Sequence, residues 1–253
     1  MKRFRTHAAG FSLVELMVAM VAGLIVTAAV LAFTFSSMKS NGEYVVSTRL
    51  TQELRNTLEL VTRDLRRAGY DENALGNLAT GNASPFGRVE VLRAGNTNSC
   101  VLYAYDRESS GSFLPGVLDF DNGEVRGIRL VSQTVNGVNV GIVEYAESSA
   151  SGDDELDCDA STADYTKTPV ACNATTHWCA LSDPRTLDIT AFTITDNSVV
   201  VGTSPNQVRL RDLVVRITGR PVGNTEYTRD VVSTVRIRTD CFDATIANCI
   251  LSP

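Results

Sequence analysis

From Leu16 to Phe35 the chain runs for twenty residues without an ionisable side chain, and from Phe11 to Phe35 it carries only one, Glu15. As a helix, twenty residues span about 30 Å, the thickness of a bilayer's hydrocarbon core. No other feature of the sequence constrains its fold as tightly. Lys2, Arg3 and Arg5 lie ahead of the run, and basic residues flanking a span stay on the cytoplasmic side. A secretory signal peptide would have a shorter apolar core and a small-residue cleavage site after it, and nothing beyond Phe35 has that form. A plain membrane anchor explains the length and the charge asymmetry but not Glu15. A carboxylate inside an apolar span costs about 2.5–3.5 kcal/mol on insertion scales, so an acid held there points to a function.

Beyond Phe35 the helical pattern continues. Ser36 to Gly42 is a polar passage, and Asn41-Gly42 marks an expected kink or local break. Leu50, Leu54, Leu58, Val61 and Leu65 then recur at steps of four, four, three and four, one stripe of an amphipathic helix. Arg49, Glu53, Arg55, Glu59, Arg63 and Arg66 fall on the other faces. A single helix is therefore expected from Phe11 to Ala68, closed by Gly69 after the basic pair Arg66-Arg67. Its leucine stripe should pack on a sheet.

Strands are expected for the rest. Residues 71–85 form a loop rich in Asn, Gly, Ala and Ser, followed by short strands at Arg88–Leu92, Cys100–Tyr105 and Phe113–Leu118. Asn136-Gly137 is the residue pair that a two-residue hairpin turn prefers, and it joins Ile128–Val135 to Val138–Tyr145. Glu147 to Pro184 reads as irregular. Leu187–Thr195, Gln207–Thr218 and Tyr227–Thr239 read as strands, the last two forming an antiparallel pair. In the final strand Val231, Val235 and Ile237 alternate with Arg236 and Arg238, so the apolar set should face the helix. The expected fold is α+β: a long N-terminal helix, membrane-spanning in its first half and amphipathic in its second, packed against an antiparallel sheet. The segments are 1–10 as leader, 11–35 as membrane helix, 36–69 as amphipathic helix and 70–253 as a β-rich head.

The stretch Gly10-Phe11-Ser12-Leu13-Val14-Glu15-Leu16 resembles the class III signal of type IV prepilins and type II secretion pseudopilins. The resemblance implies that a dedicated peptidase cuts after Gly10 on the cytoplasmic face. Phe11, the new N-terminus, is then methylated, and Glu15 falls fifth in the mature chain. Cleavage leaves a positive α-amino group at a helix end whose dipole is also positive. A carboxylate one turn in offsets that charge, within the subunit or across to a neighbour. Pairing with an adjacent subunit's amine would set axial register during assembly.

A second segment, Asp64-Leu65-Arg66-Arg67-Ala68-Gly69-Tyr70, is similar to the D-[LI]-R-x-A-G-[YF] motif that closes the long helix in PilW-type minor pilins. The final strand, ending Val235-Arg236-Ile237-Arg238, is similar to that family's end as well. Ala32 stands where major pilins often carry a proline, which favours a minor pilin or pseudopilin over a shaft subunit. The resemblance implies a structural, assembly-priming subunit with a role in twitching motility. Its partners would be other minor pilins, the major pilin and the prepilin peptidase/methyltransferase. It would sit in the inner membrane of a Gram-negative cell with a periplasmic head, then in a cell-surface pilus. A minor pseudopilin of a type II secretion system is the alternative. A tip adhesin or DNA-binding head, or a membrane-anchored periplasmic enzyme, are readings of other classes.

Composition narrows these. The formal charge is -6, and loss of Lys2, Arg3 and Arg5 with the leader takes it to -9, which argues against a generally basic nucleic-acid-binding surface. Six cysteines in an exported chain suggest an oxidising compartment and disulfides. Cys241–Cys249 and Cys172–Cys179 would close short loops and leave Cys100–Cys158, one of many possible connectivities. The acidic run Asp153, Asp154, Glu155, Asp157 and Asp159 is a weak candidate for Ca²⁺, since Cys158 stands where an EF-hand loop counted from Asp153 needs glycine. His177 with Cys172 and Cys179 is a poor zinc set in such a compartment. With His7 in the leader and His177 as the two histidines, and without a G-x-S-x-G, P-loop or dinucleotide fingerprint, nothing in the sequence supports an enzyme or a cofactor.

Overall fold

The computed structural model describes residues 10, 12–72, 74, 84–87, 89–107, 123–148, 156–167, 169–203, 206–237 and 241–243. The expected strand Phe113–Leu118, the leader Met1–Ala9, Phe11, Asp153–Glu155, Arg238 and Cys249 lie outside them. The chain divides into two compact units, Met1–Thr48 and Arg49–Pro253, and helix α1 (Leu13–Leu65) contributes to both.

In the first unit every residue from Ser12 to Val46 is exposed. The helix opens where the Leu16 amide donates to the Ser12 carbonyl at 3.1 Å, with Glu15 in the first turn. It passes through Asn41-Gly42 without the expected break. A single glycine costs a helix only about 1 kcal/mol relative to alanine, and no proline reinforces it.

In the second unit α1 presents Leu50, Leu54, Leu58, Val61 and Leu65 as a buried stripe. The helix ends at Leu65, three residues before the expected Ala68. There the Arg67 and Ala68 amides donate to the Asp64 and Leu65 carbonyls, tightening the last turn. Gly69 takes a left-handed φ of 79° and gives its N–H to the Ala104 carbonyl at 2.7 Å, so the chain is handed from helix to sheet.

Among the described residues, three antiparallel sheets follow the helix. The first runs β1-β2-β3-β4-β5, from Val89–Leu92, Cys100–Ala104, Val125–Val135, Val138–Glu147 and Cys179–Ala180. Its β3–β4 hairpin turns on Asn136-Gly137, both with positive φ, as a type I′ turn requires. The second sheet has the order β10-β9-β6, with β6 at Leu187–Asp196, β9 at Asp212–Pro221 and β10 at Arg229–Arg236. The third, β11-β8-β7, comprises Cys241–Asp243, Asn206–Leu210 and Val199–Thr203.

The expected strand Gln207–Thr218 is thus two strands in two sheets. The switch falls at Arg211, which is buried and donates to the Gly87 carbonyl, while its own carbonyl accepts from Ile237. The strands β5, β7 and β11 were not expected. β7 reads Val-Val-Val-Gly-Thr, which lacks the alternation that reveals a half-buried strand.

One core joins the leucine stripe to the first two sheets. Val101, Tyr103, Ile128 and Val143 contribute from one, and Phe192, Ile194, Val215, Ile217 and Val235 from the other. Val231, Val235 and Ile237 face this core as expected, and Arg236 is exposed. The two sheets meet at Gly141, whose amide donates to Asp188 Oδ1 at 2.8 Å. A Cβ added there would stand 1.9 Å from the Ile189 carbonyl oxygen, beside the β6 bulge between Ile189 and Ala191. That approach requires glycine.

Candidate processing and assembly site

Gly10 is exposed, and an added Cβ there would meet nothing within 4 Å. Phe11, across the expected scissile bond, lies outside the described residues. The helix that follows is long and apolar enough to cross a membrane. Its polar groups suit that setting. The hydroxyls of Thr27 and Thr34 donate to the Gly23 and Val30 carbonyls at 3.0 and 2.8 Å, so neither is left unsatisfied toward lipid. Glu15 is exposed and makes no ion pair with another of the described residues. The exposed apolar surface runs past Phe35, through Met38, Tyr44, Val45 and Val46.

The segment 64–70 is the joint between helix and sheet. Asp64 receives hydrogen bonds from the Tyr103 hydroxyl on Oδ2 and, at 3.2 Å, from the Tyr105 hydroxyl on Oδ1. Arg126 reaches the same carboxylate at 3.3 Å, pairs with Glu147 at 2.8 Å and stacks over the Tyr105 ring at 5.0 Å. Burial, reinforced by the Asp64 charge, raises the Tyr103 hydroxyl well above the ordinary phenol range, and Tyr105 is raised for the same reasons. Leu65 and Ala68 are buried, and the Tyr70 carbonyl accepts from Asp106 at 2.8 Å. Together these contacts tie the helix end to β2, to the two residues that follow it and, through Arg126, to β3.

A second polar cluster went unread in the sequence. Arg129 and Glu144, both fully buried, pair at 2.8 Å. All the guanidinium donors are used: Nε and Nη2 on Glu144 Oε2, Nη1 on the Cys158 and Ala160 carbonyls, and Nη2 also on Ser161. Glu144 Oε1 accepts from the Ala163 amide at 2.9 Å and the Tyr165 hydroxyl at 2.6 Å. The Trp178 ring lies 3.9 Å from the guanidinium, and its indole donates to the Asp157 carbonyl at 3.2 Å. A buried pair is tolerated when its remaining donors and acceptors are satisfied in this way. The signal for it was the hairpin turn. Counting outward from Asn136-Gly137 sets Arg129 opposite Glu144 and Arg126 opposite Glu147.

Disulfides join Cys100 to Cys158 and Cys172 to Cys179, tying the irregular segment 156–179 to β2 and closing its last loop. The expected Cys241–Cys249 pair is not described, since Cys249 lies outside the described residues and Cys241 is described only as the first residue of β11. With Cys172 and Cys179 bonded to each other, neither offers a thiolate to a metal beside His177. Of the acidic run, Asp159 pairs with Arg93 at 2.9 Å and Asp157 Oδ1 accepts the Asp159 amide. Asp153, Asp154 and Glu155 lie outside the described residues. Among the described residues no three His, Cys, Asp or Glu side chains gather as a metal site would need.

A free apolar helix behind a glycine junction, with one acid in its first turn, defines the pilin-like class of protein. Residues 5–31 match the prokaryotic N-terminal methylation motif. The chain belongs to the family described as Prepilin peptidase-dependent protein B, which it matches over residues 43–237. Comparison with curated proteins and with solved structures gave no match. The N-terminus is therefore that of a prepilin-peptidase-dependent, pilin-like subunit, and its apolar helix suggests anchoring in a membrane before assembly.

Proposed function

We propose that this chain is a PilW-type minor pilin, a subunit that primes assembly of a type IV pilus with other minor pilins and the major pilin. The observation that carries the reading is Glu15 in the first turn of a helix whose residues from Ser12 to Val46 are all exposed. A surface that apolar requires lipid or other helices around it. The segment 1–10 is removed as a leader by prepilin peptidase, and Phe11 becomes the methylated N-terminus. Residues 11–35 hold the subunit in the inner membrane and later pack in the filament core, 36–69 continue into the head, and 70–253 form it. The head is periplasmic before assembly and exposed on the cell surface afterwards.

Glu15 provides the register. In a low-dielectric bundle of helices an unpaired carboxylate is penalised, and one paired to a neighbouring subunit's amino group is not. A subunit out of step leaves both charges alone. The role is structural, and no catalytic group or cofactor is invoked.

Deletion of the gene should abolish surface pili and twitching. Glu15→Ala should leave processing intact while incorporation into sheared pili falls sharply. Intact pili with failed exoprotein secretion would instead establish the secretion-pseudopilin alternative, and normal incorporation of Glu15→Ala would remove the register role.

A further inference from the structure

We infer that the recess beside the end of α1 is a binding site for an acidic peptide segment of a partner protein. The inference does not depend on whether the assembled machine is a pilus or a secretion pseudopilus. The recess has a volume of about 450 Å³ and is lined by Arg66, Arg67, Ala68, Tyr70, Tyr105, Asp106 and Arg107. That volume admits a few side chains, at the low end of ordinary ligand pockets.

Within Asp64–Tyr70 the fold accounts for most residues. Asp64 is held by two tyrosines and an arginine, Leu65 and Ala68 are buried, and Gly69 makes the turn. Arg67 reaches the Tyr105 hydroxyl. The side chains of Arg66 and Tyr70 are exposed, form no hydrogen bond or ion pair with another of the described residues, and both line the same recess. The fold gives them no work there.

The chemistry of the lining selects the ligand. Arg66, Arg67 and Arg107 present three guanidinium groups, of which Arg107 lies 3.3 Å from Glu147. Against them stands one carboxylate, Asp106, whose Oδ2 accepts the Glu72 amide at 3.2 Å. The net charge of the lining is positive on a chain whose formal charge is -6. Guanidinium forks match a carboxylate in two parallel hydrogen bonds. The rings of Tyr70 and Tyr105 offer faces for the apolar stem or a neighbouring apolar residue of the same segment. A free phosphate would use the forks and leave the tyrosines idle.

The test uses the full-length protein in detergent micelles and a capped, fluorescein-labelled peptide, Gly-Glu-Leu-Asp-Glu-Gly, followed by anisotropy. Its control is the same peptide with Gln and Asn for the acids. The acidic peptide should bind more tightly than the amide control. Combined Arg66→Ala and Tyr70→Ala substitution should weaken binding at least about tenfold, with Arg66→Gln alone giving part of that loss. Arg55→Ala, on the exposed face of α1 and outside the recess, should change nothing. Because Arg66 and Tyr70 are exposed, Trp178 emission should stay the same and verify the fold of each variant. Equal binding of the two peptides, or full binding by the Arg66/Tyr70 variant, would overturn the site. Displacement by inorganic phosphate beyond that by sodium chloride of equal ionic strength would overturn the peptide in favour of a simple anion.

Discussion

At the scale of single residues, two ion pairs of the head differ in exposure. Arg129–Glu144 is fully buried, so removing one partner leaves an uncompensated charge in the core. Glu144→Ala should destabilise the head by about 3–5 kcal/mol in urea titrations followed by Trp178 fluorescence. Arg93→Ala breaks a pair whose Asp159 side is 79 % exposed and should stay within about 1 kcal/mol of the parent. Equal effects would mean that the buried pair is not the structural element described. The tyrosines give a pH test. Burial and the Asp64 and Glu144 carboxylates raise Tyr103, Tyr105 and Tyr165 above the ordinary phenol value. The folded state thus holds these protons more tightly than the unfolded chain. Their contribution is complete below about pH 10 and is lost as pH rises from there through the folded-state values. The thermal midpoint should fall above about pH 10, and less steeply in Tyr103→Phe.

At the scale of elements, the helix was legible and the sheets only partly so. A stripe of leucines at helical spacing has one physical meaning, and all of Leu50, Leu54, Leu58, Val61 and Leu65 are buried. Leu54→Ala should cost about 2–5 kcal/mol, whereas Leu60→Ala, at a half-exposed position of the same helix, should stay within about 0.5 kcal/mol. Hairpin β3–β4 was readable from its turn, because Asn-Gly fixes both turn type and register. That register sets Arg129 opposite Glu144, but the strand pattern does not show that both are buried. The break at Arg211 was not readable, because strand-forming residues run on both sides of it, Val208 and Leu210 before and Leu213 to Val215 after, and the switch of sheets is accompanied by a contact with Gly87 far along the chain. Strand β7 escaped because its side chains are exposed on both faces, so it has no alternation to show. The helix end moved by three residues for a tertiary reason, the Gly69 bond to Ala104.

At the scale of the whole molecule, the sequence divides into an N-terminal segment that matches the methylation motif and a longer part that matches the Prepilin peptidase-dependent protein B family. The apolar helix and the methylation motif over residues 5–31 are local signals, and they were legible without a structure. The recess at the helix end is lined by residues distant in sequence, such as Tyr70 and Arg107, and no local pattern carries it. The central claim is that this chain is cut and methylated at its N-terminus and then assembles by its exposed helix. The most direct measurement is the intact and N-terminal peptide mass of the protein recovered from cells. A chain beginning at Phe11 and carrying one methyl group on its α-amine is the expected result. A chain still beginning at Met1, or cut elsewhere than after Gly10, would contradict it.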